Sequence, residues 1–240
     1  MKETNTTAWF QSLEKALGKL AAIAAVVILL IFPLYVRDFY FDILNAKYQF
    51  YYITMLAVLI IAFIIFVFHV IQDFRYEDGK NVKVMFRSFS IKKMPLSHSF
   101  ASIFLIVCII STLQSQYLYE SFWGNEGRYT GLFLLAIYVI TFLFINRFLK
   151  LKKRYLNLVA GMLACIFGIT DYFKLNLFHF KDELVAADWP VYTSTFGNIN
   201  TYNAYVALVI GCCGALFIDA ETKKEKIWYF ICYLIASYSL

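Results

Sequence analysis

Six separate runs of mostly apolar residues dominate this chain, at 17–36, 50–71, 99–119, 130–146, 156–173 and 204–218. Each is close to the roughly 20 residues that a helix needs to cross a bilayer. In hydrocarbon every backbone N–H and C=O must be satisfied within the protein, which leaves helices and closed barrels as spanning structures. The runs lack the two-residue alternation of barrel strands. The expected fold is all-α, a polytopic integral membrane helical bundle with six complete transmembrane helices. A seventh run begins near Ile227 and reaches Leu240. Its roughly 14 residues make about 21 Å of helix, short of a hydrocarbon core of about 30 Å. It is read as a truncated seventh helix, and the chain as the N-terminal part of a longer membrane protein. With no fixed-period repeat and no low-complexity linker, residues 1–240 are read as a single transmembrane domain.

Composition agrees: 61% of residues are hydrophobic and 16% charged, against about half and a quarter in soluble domains. The net charge of +6 follows from the connections and argues for no nucleic-acid partner. Of the 22 lysines and arginines, seventeen lie in the N-terminal tail and the second, fourth and sixth connections, and five in the others. Positive charge stays inside, so the N-terminus is expected in the cytoplasm and the odd-numbered connections outside. The basic loops are topology signals first. The opening apolar run is long for a signal peptide and is followed by Arg37-Asp38 rather than small residues, so it reads as an uncleaved signal-anchor. The five cysteines all sit in apolar runs without a CxxC pair and read as small buried residues, with no disulfide framework and no metal site.

The external connections differ in character. Residues 37–49 are aromatic and read as an interfacial belt or as a surface for sugar stacking. Residues 174–203 form the longest one; Asp188-Trp189-Pro190 ends any helix there, and the chain re-enters at 196–203. Two polar stretches stand out, Glu120 to Gly131 (ESFWGNEGRYTG) and Phe196 to Asn203 (FGNINTYN). In the first, Gly124 and Gly127 permit a tight turn and Gly131 a close approach by the following helix. Arg128 between them is suited to bidentate phosphate binding. It is equally a residue that snorkels to headgroups or pairs with Glu120 or Glu126. In the second, one of Asn198, Asn200 and Asn203 caps the next helix, and the excess points to a polar pocket. Asp171 and Lys174 have the spacing of an i,i+3 ion pair near the interface. His69 and His98 match no metal spacing, and His179, flanked by aromatics, reads as interfacial. No phosphate-binding loop, nucleophile elbow or zinc motif is present, so catalysis of a soluble type has no support and no cofactor is implied.

At these two stretches the chain resembles the O-antigen ligase and O-antigen polymerase superfamily of polytopic bacterial glycosyltransferases. Gly-Arg-aromatic-x-Gly at an external helix start reads here as Gly127-Arg128-Tyr129-Thr130-Gly131, and Gly-Asn-x-Asn opening a later helix as Gly197-Asn198-Ile199-Asn200. The resemblance implies a location in the bacterial cytoplasmic membrane. It implies metal-independent transfer or polymerisation of an undecaprenyl-diphosphate-linked glycan on the external face, onto a lipid, protein or polymer acceptor. Arg128, Asn198 and Asn200 would bind substrate, with Gly127, Gly131, Gly197 and Asp171 supporting the site among membrane lipids. Family members place further arginine and an essential histidine in a large later loop. His179 does not occupy that place, so no catalytic residue is assigned within this chain, which alone would be inactive. The alternatives are a transporter or flippase of a lipid-linked saccharide, disfavoured by segment centres nearly free of charge, and a non-catalytic membrane scaffold.

Overall fold

A computed structural model describes residues 2–37, 42–88, 94–125, 127–149, 156–176, 179, 182 and 193–240, without the side chains of 2–7, 88, 156 and 157. Among the described residues there is no strand. The helices are α1 (Lys2–Val26), α2 (Phe32–Leu34), α3 (Ile43–Glu77), α4 (Lys80–Ser88), α5 (Leu96–Leu113), α6 (Leu118–Trp123), α7 (Leu132–Phe148), α8 (Leu156–Tyr172), α9 (Ile199–Asp219) and α10 (Lys223–Ser239). A π-helical turn, Val27–Ile31, joins α1 to α2. Four stretches are long and apolar enough to cross a membrane: Ala8–Leu34, Ile43–Glu77, Leu96–Leu113 and Ile199–Asp219. Leu132–Phe148 and Leu158–Tyr172 are apolar but shorter.

The chain forms two compact units, one of Met1–Ala25 with Tyr52–Leu151 and one of Val26–Tyr51 with Lys152–Leu240. In the first, α1 buries Leu13, Leu17, Leu20, Ala21 and Ala24, a three-and-four spacing that lines one helix face. The Trp9 indole donates to the His69 carbonyl at 3.2 Å, and Arg147 of α7 meets Glu14 of α1 at 3.3 Å. α5 packs on α7, and α6 on both. α5 buries no residue at all. Ile103, Phe104, Ile106 and Val107, which point to different sides of it, are each at least half exposed. An apolar surface of that extent fits lipid rather than water.

In the second unit α8, α9 and α10 pack together around Leu158, Cys165, Tyr202, Val206, Val209, Cys213, Cys232 and Ala236. All five cysteines are free; Cys165, Cys213 and Cys232 are buried, whereas Cys108 and Cys212 are partly exposed, so the reading of all five as buried residues holds for three.

Several element ends depart from the sequence reading. The second apolar run was expected to begin at Phe50, yet α3 begins at Ile43 and continues to Glu77, taking most of the aromatic connection after Asp42 into the helix. The third run breaks near Gln114 instead of continuing to Tyr119. Ser115 Oγ accepts the Tyr117 amide at 3.1 Å and the Ser121 hydroxyl at 2.7 Å, which stabilises the break and starts α6. The sixth run starts at Ile199, five residues early, because Asn198 caps it. Arg37 is held by Asp42 (Nε to Oδ2, 3.0 Å) and by Gln49 Oε1 at 2.8 Å. The hydrogen bond from Arg37 keeps the Asp42 carboxyl below its ordinary range. Asp188-Trp189-Pro190 and Glu126 lie outside the described residues.

Candidate functional site

The glycine turn belongs to the first unit. α6 ends at Gly124, which has φ 84° and donates its amide to the Glu120 carbonyl at 2.7 Å. The Asn125 carbonyl then accepts both the Arg128 and Tyr129 amides, at 3.1 and 2.9 Å. Gly127 has φ 82° and Tyr129 φ 52°, left-handed geometry that glycine adopts without strain and tyrosine does not. Gly131 is the N-cap of α7. The close approach expected of Gly131 is made to its own loop: a methyl group on it would overlap the backbone of Phe122, Trp123 and Gly124. Gly124 has the reciprocal restriction, with the Thr130 amide 2.5 Å from where its Cβ would lie. The two glycines close the base of the turn by backbone contact. Trp123 and Phe133 pack beneath it with ring centroids 5.0 Å apart. Arg128 is thereby lifted into an exposed position, and among the described residues no side chain bonds its guanidinium.

The asparagine stretch belongs to the second unit and is anchored by a buried polar knot. Residues 193–196 are all buried, and their polar groups find partners across the sequence. The Thr193 amide donates to Asp171 Oδ2 at 3.1 Å, Ser194 Oγ to the Ala164 carbonyl at 2.8 Å, and Thr195 Oγ1 to the Pro33 carbonyl at 2.6 Å. Asp171 does not form the expected ion pair with Lys174. Lys174 leaves the helix with φ 57° and is exposed, while Asp171 turns inward and is 8% exposed. A carboxylate that accepts a buried amide satisfies a donor that would otherwise be orphaned.

Lys47 completes the knot and was missed from sequence, where it reads as one more external-loop cation. It is 7% exposed. Its ammonium donates to the carbonyls of Phe32 and Pro33 at 2.8 and 3.0 Å and lies over the rings of Phe32 and Phe196, 5.2 and 5.0 Å from their centroids. α2 stops at Leu34 as Tyr35 turns extended; the Tyr35 amide still reaches the Phe32 carbonyl at 3.3 Å, but the helix goes no further to supply donors to its last carbonyls. A cation at a helix C-terminus satisfies them and meets the negative end of the dipole. The only signal in sequence is Pro33 close before a lysine in an aromatic stretch.

Gly197 comes next in the left-handed region (φ 69°), where an added Cβ would lie 3.1 Å from the Ile43 side chain. Asn198 then caps α9: its Oδ1 accepts the amides of Asn200 and Thr201 at 2.9 and 3.1 Å. That oxygen is engaged in holding the helix start, whereas the Asn200 side chain is exposed. Asn203 Oδ1 and Tyr205 Oη are buried without a hydrogen-bond partner among the described residues. Further along, the Tyr202 hydroxyl bonds Ser239 Oγ, which donates to the Cys165 carbonyl at 3.2 Å; a side chain at Gly168 would fill the space of that hydroxyl.

Arg128 and the asparagines lie in different units. His179 is exposed and bonds Asp182 through Nδ1 at 2.9 Å, a local pair at a turn. Among the described residues no group of three or more His, Cys, Asp or Glu side chains is placed to hold a metal ion. Comparison with protein-family models, curated proteins and solved structures finds no match to this chain.

Proposed function

We propose that the chain is part of a membrane glycosyltransferase of the O-antigen ligase and polymerase type, acting on an undecaprenyl-diphosphate-linked glycan at the external face of the bacterial cytoplasmic membrane. In this reading all six apolar runs cross the membrane, α10 begins a seventh crossing, and the N-terminus is cytoplasmic. The observation that carries it is Arg128, exposed on a turn closed by Gly124 against Gly131, with no described side chain bonding its guanidinium. A cation held on rigid backbone at a helix start is suited to an anion whose charge grows during reaction. The diphosphate is the leaving group of glycan transfer. A guanidinium positioned beside it stabilises the charge that develops as the glycosidic bond breaks. A general base must take the proton of the acceptor hydroxyl; the resemblance places it in a later external loop. Asn200 is exposed at the start of α9, and its amide is suited to a sugar hydroxyl.

Replacing Arg128 by Ala in the intact protein tests the assignment. A lost charge-assisted contact to the diphosphate predicts transfer slowed by about 10- to 100-fold, with unchanged abundance in the membrane. Full activity would remove Arg128 from the site.

One observation favours a second reading, a carrier of the same lipid-linked saccharide. The π-helical turn and early stop at α2, with buried Lys47 on its last carbonyls, form the kind of interrupted helix used at transporter binding sites. Movement of intact lipid-linked glycan between leaflets without a new glycosidic bond is the outcome that selects it.

A further inference from the structure

Outside the two motif regions, the most strongly built surface feature is α4. The chain reverses after α3 through Asp78 and Gly79, with φ 52° and 68°. Asp73, 1% exposed, anchors the start of α4. Its Oδ1 accepts the Asn81 amide at 3.3 Å and Asn81 Nδ2 at 2.5 Å, and its Oδ2 accepts the Val82 amide at 2.9 Å. A buried carboxylate at the first turn satisfies free helix amides and meets the positive end of the dipole. α4 is therefore held firmly, although most of its own surface is uncovered.

At 3.6 residues per turn, Lys80, Lys83 and Arg87 fall on one face of α4, within an arc of about 60°, and Val82, Met85 and Phe86 fall on the opposite side, within about 100°. Val82 is buried under the helix, but Phe86 is 69% exposed, and Phe74 and Tyr76 at the end of α3 are 55% and 72% exposed. Lys80, Lys83 and Arg87 are all exposed. Lys83 Nζ reaches the Asp78 carbonyl at 3.3 Å, and no described acidic side chain bonds Lys80 or Arg87. Glu77 and Asp78 are the acidic residues at the turn; Arg75 stands beside them and its guanidinium lies over the Tyr76 ring. A helix with an exposed phenylalanine on one side and a row of cations on the other, next to further exposed aromatic residues at the end of α3, fits the boundary between acyl chains and anionic headgroups.

We propose that α4 is a binding surface for anionic phospholipid. Phe86 enters the acyl boundary, and Lys80, Lys83 and Arg87 engage the phosphates of headgroups. Charge complementarity together with the exposed apolar edge commits the face to lipid rather than to a soluble anion, which would leave Phe86 without a role. The surface needs only a membrane-embedded chain, whatever its chemistry.

The test is native mass spectrometry of the full chain in detergent, titrated with phosphatidylglycerol or with phosphatidylcholine. The unaltered protein retains phosphatidylglycerol preferentially. The triple substitution Lys80→Gln, Lys83→Gln, Arg87→Gln lowers that preference by on the order of 10- to 100-fold. Phe86→Ser lowers retention of both lipids at this face while leaving the charge intact. A control with Lys223, Lys224 and Lys226 changed to Gln loses the same formal charge elsewhere and keeps the preference. A triple variant that melts as the unaltered protein does and keeps its preference overturns the proposal, as does an equal fall in the control.

Discussion

The ammonium of Lys47 donates to the carbonyl of Pro33 at 3.0 Å, and the hydroxyl of Thr195, far along the chain, donates to the same oxygen at 2.6 Å. One carbonyl at the end of α2 thus joins the start of α3 to the buried turn that precedes the asparagine stretch. The break in the first apolar helix and the placement of α9 are two consequences of a single polar knot.

Replacing Lys47 by Met keeps the length of the side chain and removes the cation. The Phe32 carbonyl then loses its ammonium partner, and the Pro33 carbonyl keeps only Thr195. Loss of hydrogen bonds from a charged donor, offset in part by relief of its burial, is expected to cost about 1–3 kcal/mol. Thermal unfolding in detergent measures it. Unchanged stability would show that the knot does not depend on the cation.

Two glycines in the turn around Arg128 should respond differently to alanine. At Gly131 a methyl overlaps backbone that cannot move aside, so Gly131→Ala should unfold the turn. At Gly127 the space is open and only the left-handed φ is unfavourable, a cost of about 1–2 kcal/mol. The predicted order of melting temperatures is unaltered protein, then Gly127→Ala, then Gly131→Ala.

Asn198→Ala should cost about 0.5–2 kcal/mol through loss of the helix cap, and Asn198→Asp should restore most of it. Stability rescued by Asp without recovery of glycan transfer would show that the free amide nitrogen has a further part in substrate binding. Rescue of both would confine Asn198 to capping.

The Arg37–Asp42 contact predicts a pH dependence at the start of α3. Because the folded carboxyl titrates below its ordinary value, near 3.9 when unfolded, the contact contributes fully above that value. Its contribution falls away as pH drops through the lower folded value. The protection of amides in the first turn of α3, taken relative to the unstructured chain at each pH, should therefore be constant down to about pH 4 by that reference and fall below it, and Asp42→Asn should abolish the acid transition.

Helical character and membrane-type surfaces could be read from the chain because apolar runs of spanning length leave few other structures. Helix ends were harder. Lys47 looks like a loop residue until the last carbonyls of α2 are known to solvate it, and Ser115 stops a helix through side-chain bonds that composition does not show. The turn at Arg128 was visible in its glycines, although the partner of Gly131 proved to be Gly124. Pairings such as Asp171 with Thr193 and Thr195 with Pro33 join residues distant in sequence and follow from packing alone. The two faces of α4 were present in its residue spacing, but its cations also mark topology, and only the buried Asp73 cap shows that this segment is a fixed helix.

Supplying the purified intact protein, in vesicles, with an undecaprenyl-diphosphate-linked glycan and an acceptor tests the central claim most directly. Release of undecaprenyl diphosphate, matched by glycan covalently joined to the acceptor, is the predicted result. Glycan that remains attached to its lipid diphosphate throughout, whether or not it changes leaflet, would contradict it.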